Sequence, residues 1–363
     1  MPGLGLVERA VGDGVAIFDG HNDTLLRLVS CPDPVAAFGD CGGVGQLNVR
    51  LAREGGLAGG LFACFVPPEG DRDAGFALTL DGYTVAMPEP PALGHARDRT
   101  LAMIGCAHRL AAALPASVRL CRTVAEVRRS MADRVLAMVL HLEGAEAIGA
   151  DLEGLEQVHA LGVRSIGLVW SRPNRFGTGV PFRYPGGPDI GPGLTVAGLE
   201  LVRACGRLGV VVDVSHLNAA GFWDVARVSR APLVATHSNV HAICPVPRNL
   251  VDDQLRAVRD NGGLVGVSLS VSELQPDGHN SAATPLAVVL RHLDYLLEVL
   301  GEDGVALGSD LDGAVLPEAT GDAGGLQSLV GAMVAHGYGA GLVRKLCHEN
   351  WLGVLGRCWT GSG

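Results

Sequence analysis

The sequence has almost no lysine and no concentration of positive charge. Lys345 is the only lysine among 28 lysine and arginine residues, and the 363-residue chain has a net charge of −10 at pH 7. A protein that binds nucleic acid needs a basic surface that neutralises phosphates. The charge distribution therefore excludes nucleic acid as a partner.

Segments for export or membrane insertion are also missing. No apolar run is long enough to span a bilayer, and residues 1–5 lack the basic segment and apolar core of a secretory signal. The nine cysteines are scattered and form no Cys-x-x-Cys pair. We therefore expect reduced thiols in a cytoplasmic protein without a membrane partner.

The sequence does contain a regular alternation of short apolar runs and stretches with helical spacing. The apolar runs cover residues 15–19, 60–66, 135–140, 163–170, 210–214, 233–236, 264–270 and 305–309. Strands that are apolar throughout belong to sheets buried on both faces. Such a series of strand and helix units predicts an α/β fold, a (β/α)8 TIM barrel, with residues 1–363 forming a single catalytic domain.

A doubly wound sheet fits this pattern less well, because no Gly-x-Gly-x-x-Gly turn follows the first run. The helices between the runs are expected at residues 123–132, 152–161, 195–208, 219–228, 252–260 and 284–299. Two longer stretches, residues 67–99 and 171–192, contain many proline, glycine and aspartate residues. We predict that both are loops over the active-site end of the barrel.

Histidines and carboxylates occur just past the ends of several runs. The residues in these positions are His21, Asp23, Glu143, His216, His237 and Asp310. Catalytic groups of (β/α)8 barrels come from the carboxyl ends of the strands, so these side chains are expected to share one cleft. We predict that His141 points away from the partners of Glu143 or into the barrel wall.

The ligand types indicate a site for two metal ions. His21 with Asp23 can hold one cation and His216 with His237 a second, if Glu143 bridges them. Imidazole and carboxylate together suit zinc, or manganese or cobalt in its place. Two neighbouring divalent ions lower the pKa of a shared water to give a bridging hydroxide and polarise a carbonyl oxygen. The sequence contains no Gly-x-Ser-x-Gly motif, so it gives no indication of a serine nucleophile.

Several segments resemble the renal or membrane dipeptidases, metallopeptidase family M19 of the amidohydrolase-like barrels. The resemblance runs from residue 19 to residue 351, and its most specific segments are residues 19–23, 143–144, 213–216, 236–239, 247–249 and 308–313. It implies a metal-dependent hydrolase barrel with two zinc ions per chain, which cleaves the amide bond of small dipeptides, including dipeptides with a carboxyl-terminal D-residue. It also implies a homodimer.

The resemblance assigns roles to individual residues. His21 and Asp23 would bind one zinc ion, His216 and His237 would bind the other, and Glu143 would bridge. Asp310 would be the proton shuttle, a role that suits a carboxylate beside an activated water. Arg248 would bind the terminal carboxylate of the substrate through its planar guanidinium. Asp312 is expected to orient a loop rather than to bind metal.

Two positions that we expect to contact substrate depart from the family pattern. Trp170 occupies a position where the family often has histidine, and Ser270 lies in a segment where it often has tyrosine. These departures leave open an amidohydrolase acting on another small carboxylated amide or a lactone. A barrel that binds metal and ligand without turnover is a further alternative, but such a protein would not need the carboxylate of Asp310.

Overall fold

The apolar runs of the sequence form the strands at the centre of the molecule. The computed structural model describes residues 14–39, 45–68, 70 and 75–360. The strands in these ranges are β1 Ile17–Asn22, β2 Leu57–Phe65, β3 Phe76–Leu78, β4 Tyr83–Val85, β5 Val118–Leu120, β6 Leu136–Glu143, β7 Val163–Gly167, β8 Arg183–Tyr184, β9 Val211–Asp213, β10 Val234–Ala235, β11 Leu264–Val267 and β12 Val305–Leu307. Each predicted strand overlaps one of the barrel strands described next.

The parallel strands are arranged as a nearly closed barrel in the order β1-β2-β6-β7-β9-β10-β11-β12. The circle closes where the chain leaves β1 and β12. The backbone N–H of Asp23 donates to the carbonyl of Leu311 (2.8 Å), and that of Asp310 donates to the carbonyl of His21 (3.0 Å). β5 pairs in parallel with the first residues of β6. The prediction of a (β/α)8 barrel is confirmed.

The helices surround the barrel, and several of them begin at polar capping residues. They are α1 Thr24–Leu28, α2 Pro34–Phe38, α3 Val49–Glu54, α4 Leu93–Ala113, α5 Val124–Ala132, α6 Leu155–Ala160, α7 Val196–Leu208, α8 Ala219–Val228, α9 Asp252–Asp260, α10 Val271–Leu274, α11 Leu286–Leu300, α12 Leu326–His336, α13 Ala340–Arg344 and α14 Asn350–Cys358. The side chains of Thr123, Thr195 and Asn218 accept hydrogen bonds from the first turns of α5, α7 and α8. These caps explain why the predicted starts of these helices were close to the observed ones.

The prediction of loops at residues 67–99 and 171–192 was wrong in part. β3 and β4 from the first stretch pair antiparallel, and β4 pairs with β8 from the second stretch. Helix α4 also begins inside the first stretch, of which residues 69 and 71–74 lie outside the described residues. Strands of two or three residues are too short to show an alternating pattern, and the pairing of β4 with β8 depends on residues far apart in sequence.

Apolar side chains fill the interior of the barrel below the carboxyl ends of its strands. Phe18, Leu61, Val139, Val211 and Trp351 belong to one buried cluster, and the indole N–H of Trp351 donates to the carbonyl of Leu307 (2.8 Å). Since Val139 precedes Glu143 by four residues on β6, both face the barrel interior. The strands therefore change from apolar to polar side chains along the barrel axis.

The predictions of reduced thiols and of no membrane-spanning segment can be compared with the structure only for the described residues. All cysteines that the structure describes have free thiols, whereas Cys41 lies outside the described residues, as do residues 1–5. Among the described helices, each is too short or too polar to cross a bilayer.

Candidate metal centre

The side chains predicted to bind metal meet at the carboxyl end of the barrel. His21 lies on β1, Glu143 is the last residue of β6, and His216 and His237 follow β9 and β10. These four residues and Asp23 are buried. The parallel arrangement explains the meeting, because it places the ends of all eight strands at one rim.

Glu143 lies at the centre of the cluster, with its two oxygens directed to different histidines. Its Oε2 is 3.5 Å from Nε2 of His21, and its Oε1 is 3.0 Å from Nε2 of His216 and 3.8 Å from Nε2 of His237. Burial raises the pKa of Glu143 to about 7, and the neighbouring Asp23 adds to this rise while His21 opposes it. A carboxylate in this position can serve as a ligand on both sides.

His21, Asp23 and Asp310 form what we call the β1 half of the centre. They offer donor atoms within 4.8 Å of one another, and Nε2 of His21 is 3.8 Å from Oδ2 of Asp23. Burial alone would lower the pKa of His21, but Glu143 and Asp23 outweigh it and raise that pKa well above its usual value. Burial raises the pKa of Asp310 well above its usual value, opposed by His21 and supported by Asp23. The β1 half is therefore rich in acidic groups.

His216 and His237 form the β9 half, in which the two imidazoles face each other. Their Nε2 atoms are 3.1 Å apart. Nδ1 of His216 is 2.9 Å from the hydroxyl of Ser171, and Nδ1 of His237 is 2.8 Å from that of Thr236. Burial, together with the positive charges of Arg248 and His21, lowers the pKa of both histidines well below the usual value. Both rings are therefore neutral at neutral pH and have lone pairs to offer a cation.

One residue in each half has a left-handed backbone. His216 has φ of 66° and Asp310 has φ of 63°, a conformation that non-glycine residues adopt at a cost and that often occurs at functional sites. A serine precedes each of them. The N–H of Ser215 donates to Asp213 (3.0 Å), and the N–H of Ser309 donates to Asp19 (2.6 Å). Two buried aspartates thus hold the turns that aim His216 and Asp310 into the cleft.

The residues present fit a site for divalent cations. Several buried polar atoms have no hydrogen-bond partner among the described residues, and they include both ring nitrogens of His21, Oδ1 of Asp23 and Oε2 of Glu143. Buried polar atoms are rarely left without a partner unless they bind something else. Neutral imidazoles and carboxylates are the donors that zinc prefers. Since His21, Glu143 and His237 also group within 4.8 Å, the division of ligands between two ions stays a prediction.

A cavity of about 300 Å³ opens over the cluster and is lined by Trp170, Arg248 and Ser270 as well as by the predicted ligands Asp23, Glu143, His216, His237 and Asp310. Arg248 is buried, and its Nη2 donates to the carbonyl of His237 (3.0 Å). Its Nε is 3.5 Å from Oε1 of Glu273, while Nε and Nη1 have no hydrogen-bond partner among the described residues. The guanidinium is thus held at the cavity with donors to spare.

Aromatic rings form one wall of this cavity. Trp170 packs between Phe65 (ring centroids 4.8 Å apart) and Phe182 (5.5 Å). Behind them, the guanidinium of the buried Arg172 lies 5.4 Å from the Trp170 ring and is bonded to Glu146 through Nε (2.8 Å). Phe182 belongs to the second of the two stretches predicted as loops.

The sequence interpretation missed some residues around the site and misplaced one. Glu273, Asp213 and Asp19 received no role, since each has a partner that is distant in sequence, namely Arg248, Thr236 and Ser309 respectively. His141 points into the barrel, where its ring contacts that of His21 edge-on at 5.5 Å. The prediction that it points away was wrong, because residues 141 and 143 are two positions apart on one strand and their side chains therefore point to the same face. Asp312 accepts hydrogen bonds from Thr24, Arg27 and the N–H of Gln46, and its role in orienting a loop stays a prediction.

Comparison with known proteins identifies similar sequences and structures. The chain matches the family model of the membrane dipeptidases, peptidase family M19, over residues 7–360. It is also 50% identical, over 242 residues, to an uncharacterized protein in the pqqA 5′ region of Klebsiella pneumoniae, which covers 67% of this chain and 89% of that protein.

Two solved structures resemble the chain over nearly its whole length. A metallopeptidase from Rhodobacter sphaeroides, liganded with a phosphinate mimic of the dipeptide L-Ala-D-Ala, is 48% identical with a TM-score of 0.92, covering 96% of this chain and 100% of that chain. The dipeptidase AC, a metallopeptidase of family M19, is 48% identical with a TM-score of 0.91, covering 95% of this chain and 99% of that chain.

Proposed function

The chain belongs to the membrane dipeptidase family, peptidase family M19, and from this premise we propose that it is a zinc-dependent dipeptidase with two metal ions per chain. The position of Glu143 carries the proposal, because its two oxygens face His21 on one side and His216 on the other. His21 and Asp23 would hold one ion and His216 and His237 the other. Bound ions would supply an activated water and polarise the carbonyl of the scissile bond.

The charges around the cavity support a free dipeptide as the substrate. Asp23 and Asp310 line one part of the cavity, and Arg248 presents a buried guanidinium to it. A free dipeptide has an ammonium group at one end and a carboxylate at the other. We propose that Arg248 pairs with the carboxylate, since its Nε and Nη1 have no hydrogen-bond partner among the described residues and can each donate a charge-assisted hydrogen bond. The acidic β1 half would then face the ammonium group.

Asp310 is the proposed proton shuttle. Its carboxyl belongs to the same group of donor atoms as His21 and Asp23, so it would lie close to a water activated by a cation bound there. There it can take a proton and return it to the leaving amine, which must be protonated to depart. Trp170 and Ser270 are proposed to contact the substrate from the cavity wall.

The preferred stereochemistry is also a proposal. The similar metallopeptidase from Rhodobacter sphaeroides is liganded with a mimic of L-Ala-D-Ala, and we propose that this chain accepts dipeptides with a carboxyl-terminal D-residue. A second candidate function, hydrolysis of another small carboxylated amide or of a lactone, rests on Trp170 and Ser270 in place of the more frequent histidine and tyrosine. The cytoplasmic location, the homodimer and the single domain stay predictions.

A turnover assay on the zinc-loaded enzyme tests the proposal. L-Ala-D-Ala and L-Ala-L-Ala should be hydrolysed, whereas N-acetylated alanine amides and small carboxylated lactones should be poor substrates. Preferential turnover of the N-acetylated compounds or lactones would favour the second candidate. Tight binding of zinc without turnover of any compound would indicate a binding protein.

A further inference from the structure

The buried aspartate at the end of β9 has hydrogen bonds that reach both histidines of the β9 half. Oδ1 of Asp213 accepts from the N–H of Ser215 (3.0 Å) and of Thr236 (2.9 Å). Its Oδ2 accepts from the hydroxyl of Thr236 (2.6 Å). Asp213 is 1% exposed, so it touches neither solvent nor the cavity. It can act on the site only through its neighbours.

The hydrogen bond that the hydroxyl of Thr236 donates to Asp213 determines which ring nitrogen of His237 carries the proton. As a carboxylate, Asp213 has no proton to donate, so the single hydroxyl proton of Thr236 is used in the bond to Oδ2. Towards Nδ1 of His237, 2.8 Å away, the same oxygen can only accept. Nδ1 of His237 must therefore carry the ring proton, and the lone pair lies on Nε2, which faces Glu143 and His216. The histidine is thus fixed in the tautomer that a metal site requires.

The second contact of Asp213 acts on His216. Its bond to the N–H of Ser215 closes the turn in which the next residue, His216, adopts a φ of 66°. Without that acceptor, the left-handed conformation would lose a local support. The carboxylate of Asp213 therefore determines the tautomer of His237 and supports the backbone conformation of His216.

We propose that Asp213 is a positioning residue that prepares both imidazoles of the β9 half for metal, through Thr236 on one side and Ser215 on the other. The inference rests on the proposed function only in taking the β9 half as a metal site. It makes a claim that can be tested in the metal-free protein, because the hydrogen-bond relay is complete without metal.

Substitution of Asp213 by Asn should reverse the relay. An amide nitrogen in place of Oδ2 would donate to the hydroxyl of Thr236, which would then donate to Nδ1 of His237 and shift the ring proton to Nε2. Nitrogen-15 NMR of histidine-labelled, metal-free protein, with His237 assigned by its loss in His237→Asn, reports the tautomer. We expect the Nδ1–H form in the parent and the Nε2–H form in Asp213→Asn.

A pair of variants at Thr236 keeps the test valid if Asp213→Asn fails to fold. Thr236→Val removes the hydroxyl and should weaken zinc binding at one site by about 10–100-fold, measured by competition with a chelator. Thr236→Ser keeps the hydroxyl and should restore the affinity. Thr100→Val, which removes another buried threonine hydroxyl on α4, controls for a general effect on packing.

The outcomes separate this inference from the proposed function. An Nε2–H tautomer of His237 in the parent, or equal zinc affinities in Thr236→Val and Thr236→Ser, would overturn the positioning role. If the parent has the Nδ1–H tautomer, and only Thr236→Val binds zinc more weakly, the role stands even when no dipeptide is hydrolysed. Failure of the parent to hydrolyse dipeptides bears on the proposed function alone.

Discussion

In the β9 half of the centre, a hydroxyl lies beside Nδ1 of each histidine, whereas in the β1 half neither nitrogen of His21 has a hydrogen-bond partner among the described residues. The two halves also differ in the charge of the side chains around their histidines. Acidic side chains surround His21, and Arg248 lies against the carbonyl of His237. We infer that the β1 half attracts a cation mainly by charge, and the β9 half mainly by prepared geometry.

This difference assigns separate tasks to the two halves. Asp310, on the acidic side, is suited to proton transfer, whereas Arg248, on the other side, is suited to holding a carboxylate. Glu143 belongs to both halves because its two oxygens face His21 and His216. Variants of these residues should therefore differ in metal content as well as in rate, and that combination tests the comparison.

The largest effect is expected from Glu143→Gln. It replaces one of the two carboxylate oxygens with an amide nitrogen, which is not a ligand, and removes the negative charge shared by both halves. We expect the zinc content to fall from about two ions per chain towards zero, and kcat to fall by about 10³-fold or more. Elemental analysis after dialysis measures the metal.

His21→Ala and His216→Ala serve as comparisons for Glu143→Gln. Each should lower the content of mainly one ion, because each removes a ligand from one half. A parent protein that is folded and reproducibly holds one ion or none would contradict the two-metal proposal. Loss of only one ion in Glu143→Gln would show that Glu143 belongs to a single half.

A smaller or similar loss of rate, without loss of metal, is expected from Asp310→Asn. The amide preserves the shape of the side chain but cannot move the proton, and acid–base catalysis is worth ~10²–10⁴-fold in rate. Zinc content should remain near that of the parent. A decrease in kcat of less than about threefold would assign Asp310 a structural role, and a loss of zinc would make it a ligand of the β1 half.

The residues of the centre could be predicted from the sequence because strand ends are visible in it. An apolar run followed by a histidine or carboxylate marks the rim of a barrel, as at Glu143 and Asp310. Asp213 and Glu273 could not be found in this way, because their partners Thr236 and Arg248 are more than 20 residues away in sequence. The sheet of β3, β4 and β8 was missed for the same reason.

Removal of the guanidinium of Arg248 should lower kcat/KM by less than the two preceding substitutions lower kcat. Arg248→Met loses a charge-assisted hydrogen bond in a buried site, which costs roughly 1.5–3 kcal/mol. We expect kcat/KM for free dipeptides to fall by about one to two orders of magnitude, with little change for carboxyl-amidated dipeptides, which should already be poor substrates. Arg175→Met is the matched control, since the side chain of Arg175 donates to the backbone carbonyls of Glu146 and Ile148 and does not line the cavity. A parent that cleaves amidated and free dipeptides equally well would exclude the role of Arg248.

The smallest effect, and the one of opposite sign, is expected from Glu273→Gln. Oε1 of Glu273 lies 3.5 Å from Nε of Arg248, so its negative charge competes with a substrate carboxylate for the same guanidinium. Arg248 stays anchored by its bond to the carbonyl of His237, and removing the competing charge should therefore lower KM for free dipeptides by about fivefold or less, a change of about 1 kcal/mol. The effect on kcat should be slight because Asp310 and the metal ligands are unchanged. Glu153→Gln, which alters an exposed ion pair with Arg97, should leave both constants as they are. A rise in KM after Glu273→Gln would mean that Glu273 positions Arg248 rather than competing for it, and the carboxylate-binding side would then depend on support from a neighbouring residue, as the β9 half does.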